Sequence, residues 1–483
     1  MKTKQEYLES MRKMKPELYM FGERVTDLVN NPIIQPTMNC MAATYELAEK
    51  SEFEQVITAT SHLNGKKINR FCHIHQSTDD LVNKSKMGRI LGAYTGSCFQ
   101  RCVGMDALNA LSMVTYDVDR KYGTEYNQRF LKYLQYVQDE DLACCGAMTD
   151  SKGDRSLHPA SQPDPDQYLH VVEEKPDGII VRGSKIHQTG AVNSHEIITM
   201  PTRALREEDK DYAISFALPS DTEGIIYVYG RQSCDTRKMD CPTIDVGNVL
   251  YGGQECMVIF ADVFVPWERV FMYKEWDFAF DFVEKFASYH RQSYACKSGI
   301  GAVLIGAAQL IAEYQGTDRA SHVRDKIIDM IHLNETMYSC SLACAYEGHR
   351  EPSGTYLVDT LLANVSKLNV TRFPYDIARL AQDIAGGSLV TLPSEKDLKH
   401  PEIGKYVAKY LKGVDGVPVE NRVRVLRLIE NLTLGLGAVC YLTESLHGAG
   451  SPMAQKIMIG RRTNIEGFKN AAKRLCGIES QLQ

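Results

Sequence analysis

Apolar residues recur along this chain with two different periods, and the change of period divides it into three parts. Up to about residue 140 the spacing is helical. The short run Val25–Asn31 ends at Pro32, and an apolar-patterned run follows from Met38 to Glu49. Ser77–Leu111 keeps the helical period with no proline, and Gln128–Glu140 carries Tyr and Leu at helical spacing. The character changes at Gly146-Ala147-Met148-Thr149-Asp150, and residues 151–165 are polar and proline-containing, so they read as a loop. Beyond them come short β-like runs. Tyr168–Glu173 and Gly178–Val181 flank Lys175-Pro176-Asp177-Gly178, which predicts a hairpin. Glu196–Met200, Tyr212–Ala217, Ile225–Tyr229 and Met257–Val265 continue the pattern to Pro266-Trp267.

From about residue 277 the helical period returns in Val303–Tyr314, His322–Cys344, Leu357–Ile384 and Arg422–Leu446. Four such runs predict a bundle, interrupted at Ala385-Gly386-Gly387 and turned at Leu392-Pro393-Ser394. The expected fold is α+β: a helical domain over 1–145, a β domain over 146–276 and a four-helix bundle over 277–483.

Composition narrows the functional classes. A chain of 483 residues is longer than one typical domain, in keeping with three parts. The net charge of −6 gives no general basic field, which argues against nucleic acid as a partner. The charged start Met1-Lys2-Thr3-Lys4-Gln5-Glu6 lacks the apolar core of a signal peptide. No run of about 18 apolar residues exists, so no membrane span is expected. The 14 cysteines lack the clustering of a small secreted chain and point to the cytoplasm, with thiols free or bound to metal.

Candidate chemistry begins at Cys98-Phe99-Gln100-Arg101-Cys102. If Ser77–Leu111 is one helix, both thiols share a face with Cβ atoms about 6 Å apart. That is poor disulfide geometry and suits two thiolates at one metal or cluster. The spacing equally describes two small buried hydrophobes, and Cys340 and Cys344 share it. His73-Ile74-His75 resembles a metal pair but reads more readily as packing and hydrogen bonding. Downstream, Tyr289-His290-Arg291-Gln292-Ser293-Tyr294-Ala295-Cys296-Lys297 brings an imidazole, a thiol, phenols and cations together. Cys98, Cys102 and Cys296 with His290 would make a set of three thiolates and one imidazole. The imidazole would leave one iron of a cluster more labile and more Lewis-acidic.

Elsewhere, Lys185–Gly190 and Asn193–Glu196 suit the polar rim of a ring such as isoalloxazine, or a polar turn between strands. No Gly-x-Gly-x-x-Gly follows a strand, so a Rossmann nucleotide site is not indicated. Gly386-Gly387 permits close approach to a phosphate, or simply ends a helix. Glu444 and Glu255 are acid/base candidates if a closed pocket raises them, and solvated side chains otherwise.

Four of these segments carry a resemblance. Cys98-Phe-Gln-Arg-Cys102-Val-Gly-Met-Asp106, His187-Gln-Thr-Gly-Ala-Val-Asn-Ser-His195, His290-Arg-Gln-Ser-Tyr294 and Thr443-Glu-Ser-Leu-His-Gly-Ala-Gly450 resemble the 4-hydroxybutyryl-CoA dehydratase branch of the 4-hydroxyphenylacetate 3-hydroxylase family. The resemblance covers essentially the whole chain and implies the acyl-CoA dehydrogenase-like fold. It implies FAD and a [4Fe–4S] cluster, with Cys98, Cys102, His290 and Cys296 as cluster ligands. It implies FAD contacts at Met148, Thr149, Asp150, His187, Gln188 and Thr189, and at Gly386-Gly387-Ser388 from a neighbouring subunit of a homotetramer. Glu444, Glu255, Tyr294, Lys297, Arg89 and Gln100 fall where the family surrounds its acyl-CoA substrate, and His290 joins the first four as catalytic.

The implied reaction is radical dehydration of 4-hydroxybutyryl-CoA to crotonyl-CoA, with isomerisation of vinylacetyl-CoA at the same site. A flavin-dependent aromatic hydroxylase and a cluster-free flavoprotein paralogue are the alternatives. One departure from the family pattern stands out. Only Ala295 separates Tyr294 from Cys296, where the pattern has two residues; read without a gap, Lys297 takes the place of the cysteine. One residue turns a helix by about 100°, so the segment between His290 and Cys296 is expected to be non-helical somewhere.

Overall fold

The β-like runs form two sheets, and two short strands from the N-terminal part join the larger one. The computed structural model describes residues 1–233, 236–240 and 242–478. The larger sheet has six strands in the order Glu23–Val25, Glu17–Met20, Ile225–Tyr229, Glu255–Pro266, Gly178–Thr189, His170–Lys175. Its first two strands come from the N-terminal part that reads as helical; Glu17–Met20 pairs in parallel with Ile225–Tyr229. Strands of four and three residues offer too few positions for a period of two to register. Residues 25–31 are not helical either. Asn30 N–H donates to Asp27 Oδ1 at 2.9 Å and Ile33 N–H to Asn31 Oδ1 at 2.9 Å, local turns that compete with a helix. The expected hairpin is present, with Lys175 paired to Gly178 across Pro176-Asp177. The smaller sheet runs Val270–Tyr273, Ile214–Pro219, Glu196–Thr199, Cys144–Ala147, and its last strand straddles the expected boundary at 145/146.

Three runs read as single helices are broken. Leu357–Ile384 is two helices, Thr360–Val370 and Phe373–Ala385, with Pro374 at the start of the second. Arg422–Leu446 is the helix Val419–Thr433 followed, after Gly435, by an irregular segment whose centre, Val439–Thr443, is a π turn. Ser77–Leu111 is Thr78–Thr95 and Cys102–Tyr122, so Cys98 and Cys102 do not share a helical face. Gly96 caps the first helix in the left-handed region at φ 57°, and Gln100 also has a left-handed φ of 66°. The loop between them is buried, so its apolar residues keep the period going while the backbone departs from it.

The helices Thr78–Thr95 and Cys296–Gln315 meet backbone to backbone. A Cβ on Gly92 would lie 2.2 Å from the Cys296 carbonyl oxygen, and one on Gly299 would lie 2.2 Å from that of Arg89. Trp276–Gln315 and Val419–Arg462 are long and apolar enough to cross a membrane, yet 67% and 50% of their most apolar windows are buried against the rest of the chain. Their apolarity serves the core of the bundle.

Gly92→Ala is therefore expected to lower the melting temperature by several degrees. Gly306→Ala, in the same helical pair but with no atom within 4 Å of its Cβ, should match or slightly exceed wild type. Calorimetry or circular dichroism melts compare the two; equal shifts would show that the close contact is not what requires glycine.

Candidate active site

The buried loop between the two N-terminal helices is anchored by the residues that separate its cysteines. Arg101 is buried, donates through Nη2 to Asp141 Oδ1 at 2.7 Å, and lies 4.1 Å from the centre of the Tyr45 ring. Gln100 Oε1 accepts from Thr37 Oγ1 at 2.5 Å and from Asn193 Nδ2 at 2.9 Å. Its Nε2 is buried without a partner and faces the Cα of Gly253. Cys98 is held before these anchors and Cys102 after them, at the first position of its helix. Burial pushes both thiols well up; Glu444 adds to this at Cys98, and Asp106 and Cys296 at Cys102.

The second half of the cysteine–histidine set comes from the helix Ala279–Ser293 and the turn that ends it. Tyr294 and Ala295 form that turn, with Ala295 N–H donating to Gln292 O at 3.0 Å and Lys297 N–H to Tyr294 O at 3.0 Å. These bonds span three residues, a tighter winding than an α-helix, and they supply the expected irregularity between His290 and Cys296. His290 Nδ1 lies 2.9 Å from Asp106 Oδ2, which also accepts from Ser293 Oγ at 2.8 Å. Lys84 Nζ pairs with the other Asp106 oxygen at 2.7 Å. Burial alone would raise Asp106, but Lys84 and His290 outweigh it and hold the carboxyl below its ordinary range. A carboxylate on Nδ1 selects the tautomer that leaves Nε2 free for a ligand.

Cys102 and Cys296 share one buried cluster with Phe99, the residue after Cys98, and the charge of Lys297 acts on all three thiols. His290 joins through Asp106, one helical turn beyond Cys102. All three thiols are free and buried. Among the described residues no three His, Cys, Asp or Glu side chains converge closely enough to hold a single metal ion. A cluster is larger than an ion and is held from around its periphery, so the donor types and their gathering fit it. Cys340 and Cys344 are not part of this set; Cys340 Sγ takes a bond from Asn369 Nδ2 and Cys344 Sγ donates to Ser341 O. His73 pairs with Asp80 at 3.1 Å and His75 packs against Tyr289, the structural role expected of that motif.

Beside the thiols lies a carboxyl pair. Lys297 Nζ donates to Glu444 Oε2 at 2.9 Å and to the Cys440 carbonyl. Tyr294 OH donates to the Glu444 carbonyl at 3.1 Å. Glu255, paired in register with Thr189, accepts from Thr189 Oγ1 at 2.5 Å. Burial and the neighbouring Glu444 push Glu255 well above the carboxylate range. Burial alone would lower Lys297, but Glu444 and Cys296 raise it well above the usual lysine range. Gly253 admits this arrangement, because a Cβ there would lie 2.1 Å from Cys440 Sγ. Helical spacing gives no sign of Lys84, Arg101 or Cys440; Asp106, four residues after Cys102, is the one of these supports that the spacing marks.

The six expected flavin residues of the β region are brought together. Ile186 N–H donates to Thr149 O at 2.9 Å, and Gln188 Nε2 donates to the same oxygen at 3.2 Å. Lys185 Nζ ties Asp150 Oδ1 at 2.8 Å to the Met148 carbonyl at 2.9 Å. Ile186 and His187 together oppose Met257, a bulge in which His187 has a left-handed φ of 45°. Bulges of this kind re-aim side chains next to sites. Burial, Lys152 and the nearby His447 lower His187. Gly386-Gly387-Ser388 is not part of this group. It starts a 3-10 turn at the surface, where no atom lies within 4 Å of a Cβ on either glycine. Arg89 is committed to Glu335 through two bonds of 2.7 and 2.6 Å and lies against the Tyr338 ring.

Comparison with known proteins bears on this arrangement. The family model described as 4-hydroxyphenylacetate 3-hydroxylase N terminal matches residues 3–272, and the C-terminal model of the same family matches 279–477. The chain is 55% identical to the 4-hydroxybutyryl-CoA dehydratase/vinylacetyl-CoA-Δ-isomerase of Clostridium aminobutyricum, over 99% of both chains. Among solved structures it is similar to an oxygen-tolerant archaeal 4-hydroxybutyryl-CoA dehydratase from N. maritimus, at 53% identity and TM-score 0.98 over 100% of this chain and 96% of that one. It also resembles the oxygenase component of 4-hydroxyphenylacetate 3-monooxygenase complexed with FAD, at 26% identity and TM-score 0.85 over 98% of each chain.

The raised Glu255 carboxyl makes stability fall as pH rises. Between its unfolded value, about 4.3, and its higher folded value, the folded chain holds a proton that the unfolded chain has released. Glu255→Gln should flatten that slope above the unfolded value of about 4.3, measured as melting temperature against pH. An unchanged slope would show that Glu255 ionises as readily folded as unfolded.

Proposed function

The chain belongs to the 4-hydroxyphenylacetate 3-hydroxylase family, and from that premise we propose that it dehydrates 4-hydroxybutyryl-CoA to crotonyl-CoA and isomerises vinylacetyl-CoA at the same site. The observation that carries this reading over an aromatic hydroxylase is the gathering of Cys98, Cys102, Cys296 and His290 against the Lys297–Glu444–Glu255 group. Hydroxylation of a phenol has no use for a buried set of three thiols and an oriented imidazole. The layout we propose is acyl-CoA dehydrogenase-like, with a helical domain over 1–145 that lends Glu17–Met20, Glu23–Val25 and the start of Cys144–Ala147 to the sheets, a β domain over 146–276 and a four-helix bundle over 277–483.

The reaction sets the demands. Dehydration takes hydrogens from Cα and Cβ, expels the C4 hydroxyl and returns one proton to C4. The Cβ–H is too far from the thioester to be acidic at neutral pH, so acid/base chemistry alone is insufficient. FAD and a [4Fe–4S] cluster, when bound, supply one-electron chemistry and a Lewis-acidic iron for the hydroxyl. We assign Cys98, Cys102, Cys296 and His290 to the cluster. FAD is assigned to Met148, Thr149, Asp150, His187, Gln188 and Thr189, with Gly386-Gly387-Ser388 contributed to a neighbouring copy in a homotetramer. The open surface around those glycines and the 87% exposure of Val390 support a partner there.

The chain's own groups divide the proton work. Glu444, ion-paired with Lys297, is the base, and Glu255, whose carboxyl burial and the neighbouring Glu444 push upward, is the acid. Tyr294 fixes the backbone of Glu444 through its hydroxyl and faces the ring of His290 edge-on at 5.4 Å. The unpartnered Gln100 Nε2 is placed to donate to the thioester carbonyl. Arg89 is assigned to the outer part of the acyl-CoA. Cys98, Cys102 and Cys296 are free thiols, which supports work in the reducing cytoplasm.

Anaerobically purified protein should contain flavin, iron and sulfide and convert 4-hydroxybutyryl-CoA to crotonyl-CoA. Glu444→Gln and Tyr294→Phe should retain flavin and iron but lose about 10²-fold or more in rate. Reduced-flavin-dependent oxygenation of a phenol by iron-free protein would overturn the reading, and wild-type turnover in both variants would remove these residues from the proton path.

A further inference from the structure

Lys367 is 0% exposed, sits in the middle of the helix Thr360–Val370, and has no place in the chemistry above. Burial drives its amine well below the usual lysine range, and among the described residues the charged groups that act on it are the cations Lys297 and Arg291. Burying an amine without an opposing carboxylate is costly, and an apolar side chain of similar length would avoid the cost. What the amine does contact is specific. Nζ donates to the Ser445 carbonyl at 2.6 Å and lies over the Tyr294 ring, 4.5 Å from its centre.

Those contacts complete a pattern. The π turn Val439–Thr443 widens the helix immediately before Glu444 and upsets the regular ladder of backbone bonds. Carbonyls of this segment are met by side chains from outside it: Cys440 O by Lys297, Glu444 O by Tyr294 and Ser445 O by Lys367. Two of these three donors are site residues. The third reaches the residue after Glu444 and the ring of Tyr294 at once.

We propose that Lys367 is a positioning residue, which sets the Glu444 carboxyl and the Tyr294 phenol in place by clamping the Ser445 carbonyl and the Tyr294 ring. The bond to the Ser445 carbonyl needs only a hydrogen on Nζ, which the amine carries in either protonation state. The inference rests on the dehydratase reading for its catalytic consequence and on geometry alone for the clamp.

Lys367→Met tests both. The variant should melt at or above the wild-type temperature, because a buried amine with no opposing carboxylate has been replaced by an apolar side chain, and it should bind flavin and iron as wild type does. Amides of 439–447 should exchange with deuterium about tenfold faster. Turnover should fall about 10²-fold, with KM for the CoA ester changed by less than about threefold. Unaltered exchange, unaltered turnover, a lowered melting temperature or a failure to fold would each overturn the proposal, the last two because they make Lys367 a structural residue. The exchange measurement needs no substrate. Faster exchange in a protein whose wild type lacks dehydratase activity would therefore retain the clamp and reject only the functional reading.

Discussion

The backbone contact between Thr78–Thr95 and Cys296–Gln315 governs where every other group of the site can be. Gly92 lets the Cys296 carbonyl approach to a distance that no side chain would allow, and Gly299 does the same for Arg89. The approach seats the start of the second helix against the end of the first. Cys296 and Lys297 are thereby carried to the loop that bears Cys98 and Cys102. Lys297 then reaches Glu444, and the turn at Tyr294 and Ala295 leaves His290 directed at Asp106. A wider helix pair would separate the thiols from the carboxyl pair and leave each half without the other.

Charge is distributed through this region so that buried ions hold geometry. Lys84–Asp106, Arg101–Asp141 and Lys297–Glu444 are all buried or nearly so, and each has its partner within 2.9 Å. Such pairs offset their desolvation without adding much net stability, while removal of one member leaves an uncompensated charge. Their placement is consistent. Asp106 orients His290, Asp141 anchors the residue before Cys102, and Lys297 links the thiols to Glu444. Irregular backbone occurs at the same points: the left-handed Gln100, the bulge at His187 and the π turn before Glu444. Each removes a side chain from a regular ladder and fixes it by bonds to a neighbouring element.

Much of this was legible in the residues themselves. The period of apolar positions located most of the helices and strands, because a buried face imposes that period on any sequence that folds against a core. The Lys175–Gly178 hairpin followed from its turn residues, and the cysteine, histidine and glutamate segments that the structure gathers were singled out by their side-chain chemistry together with the family resemblance. The break between His290 and Cys296 was legible from the spacing, since a regular helix cannot aim both residues the same way.

Tertiary structure decided the rest. Glu17–Met20 became a strand because a partner strand more than 200 residues away presents an open edge to it, which no local window records. The helix expected through Cys98 and Cys102 gave way to a loop because Gly96 and Gln100 are left-handed and the loop is buried, and apolar spacing registers burial rather than backbone direction. The two carboxyls Glu255 and Glu444 received different surroundings from groups distant in the chain: Lys297 pairs with Glu444, and burial beside Glu444 pushes Glu255 up. Residue type and spacing determined which groups exist and which local conformations they allow. Packing alone determined which of them share a low-dielectric neighbourhood, and protonation, pairing and orientation depend on that neighbourhood.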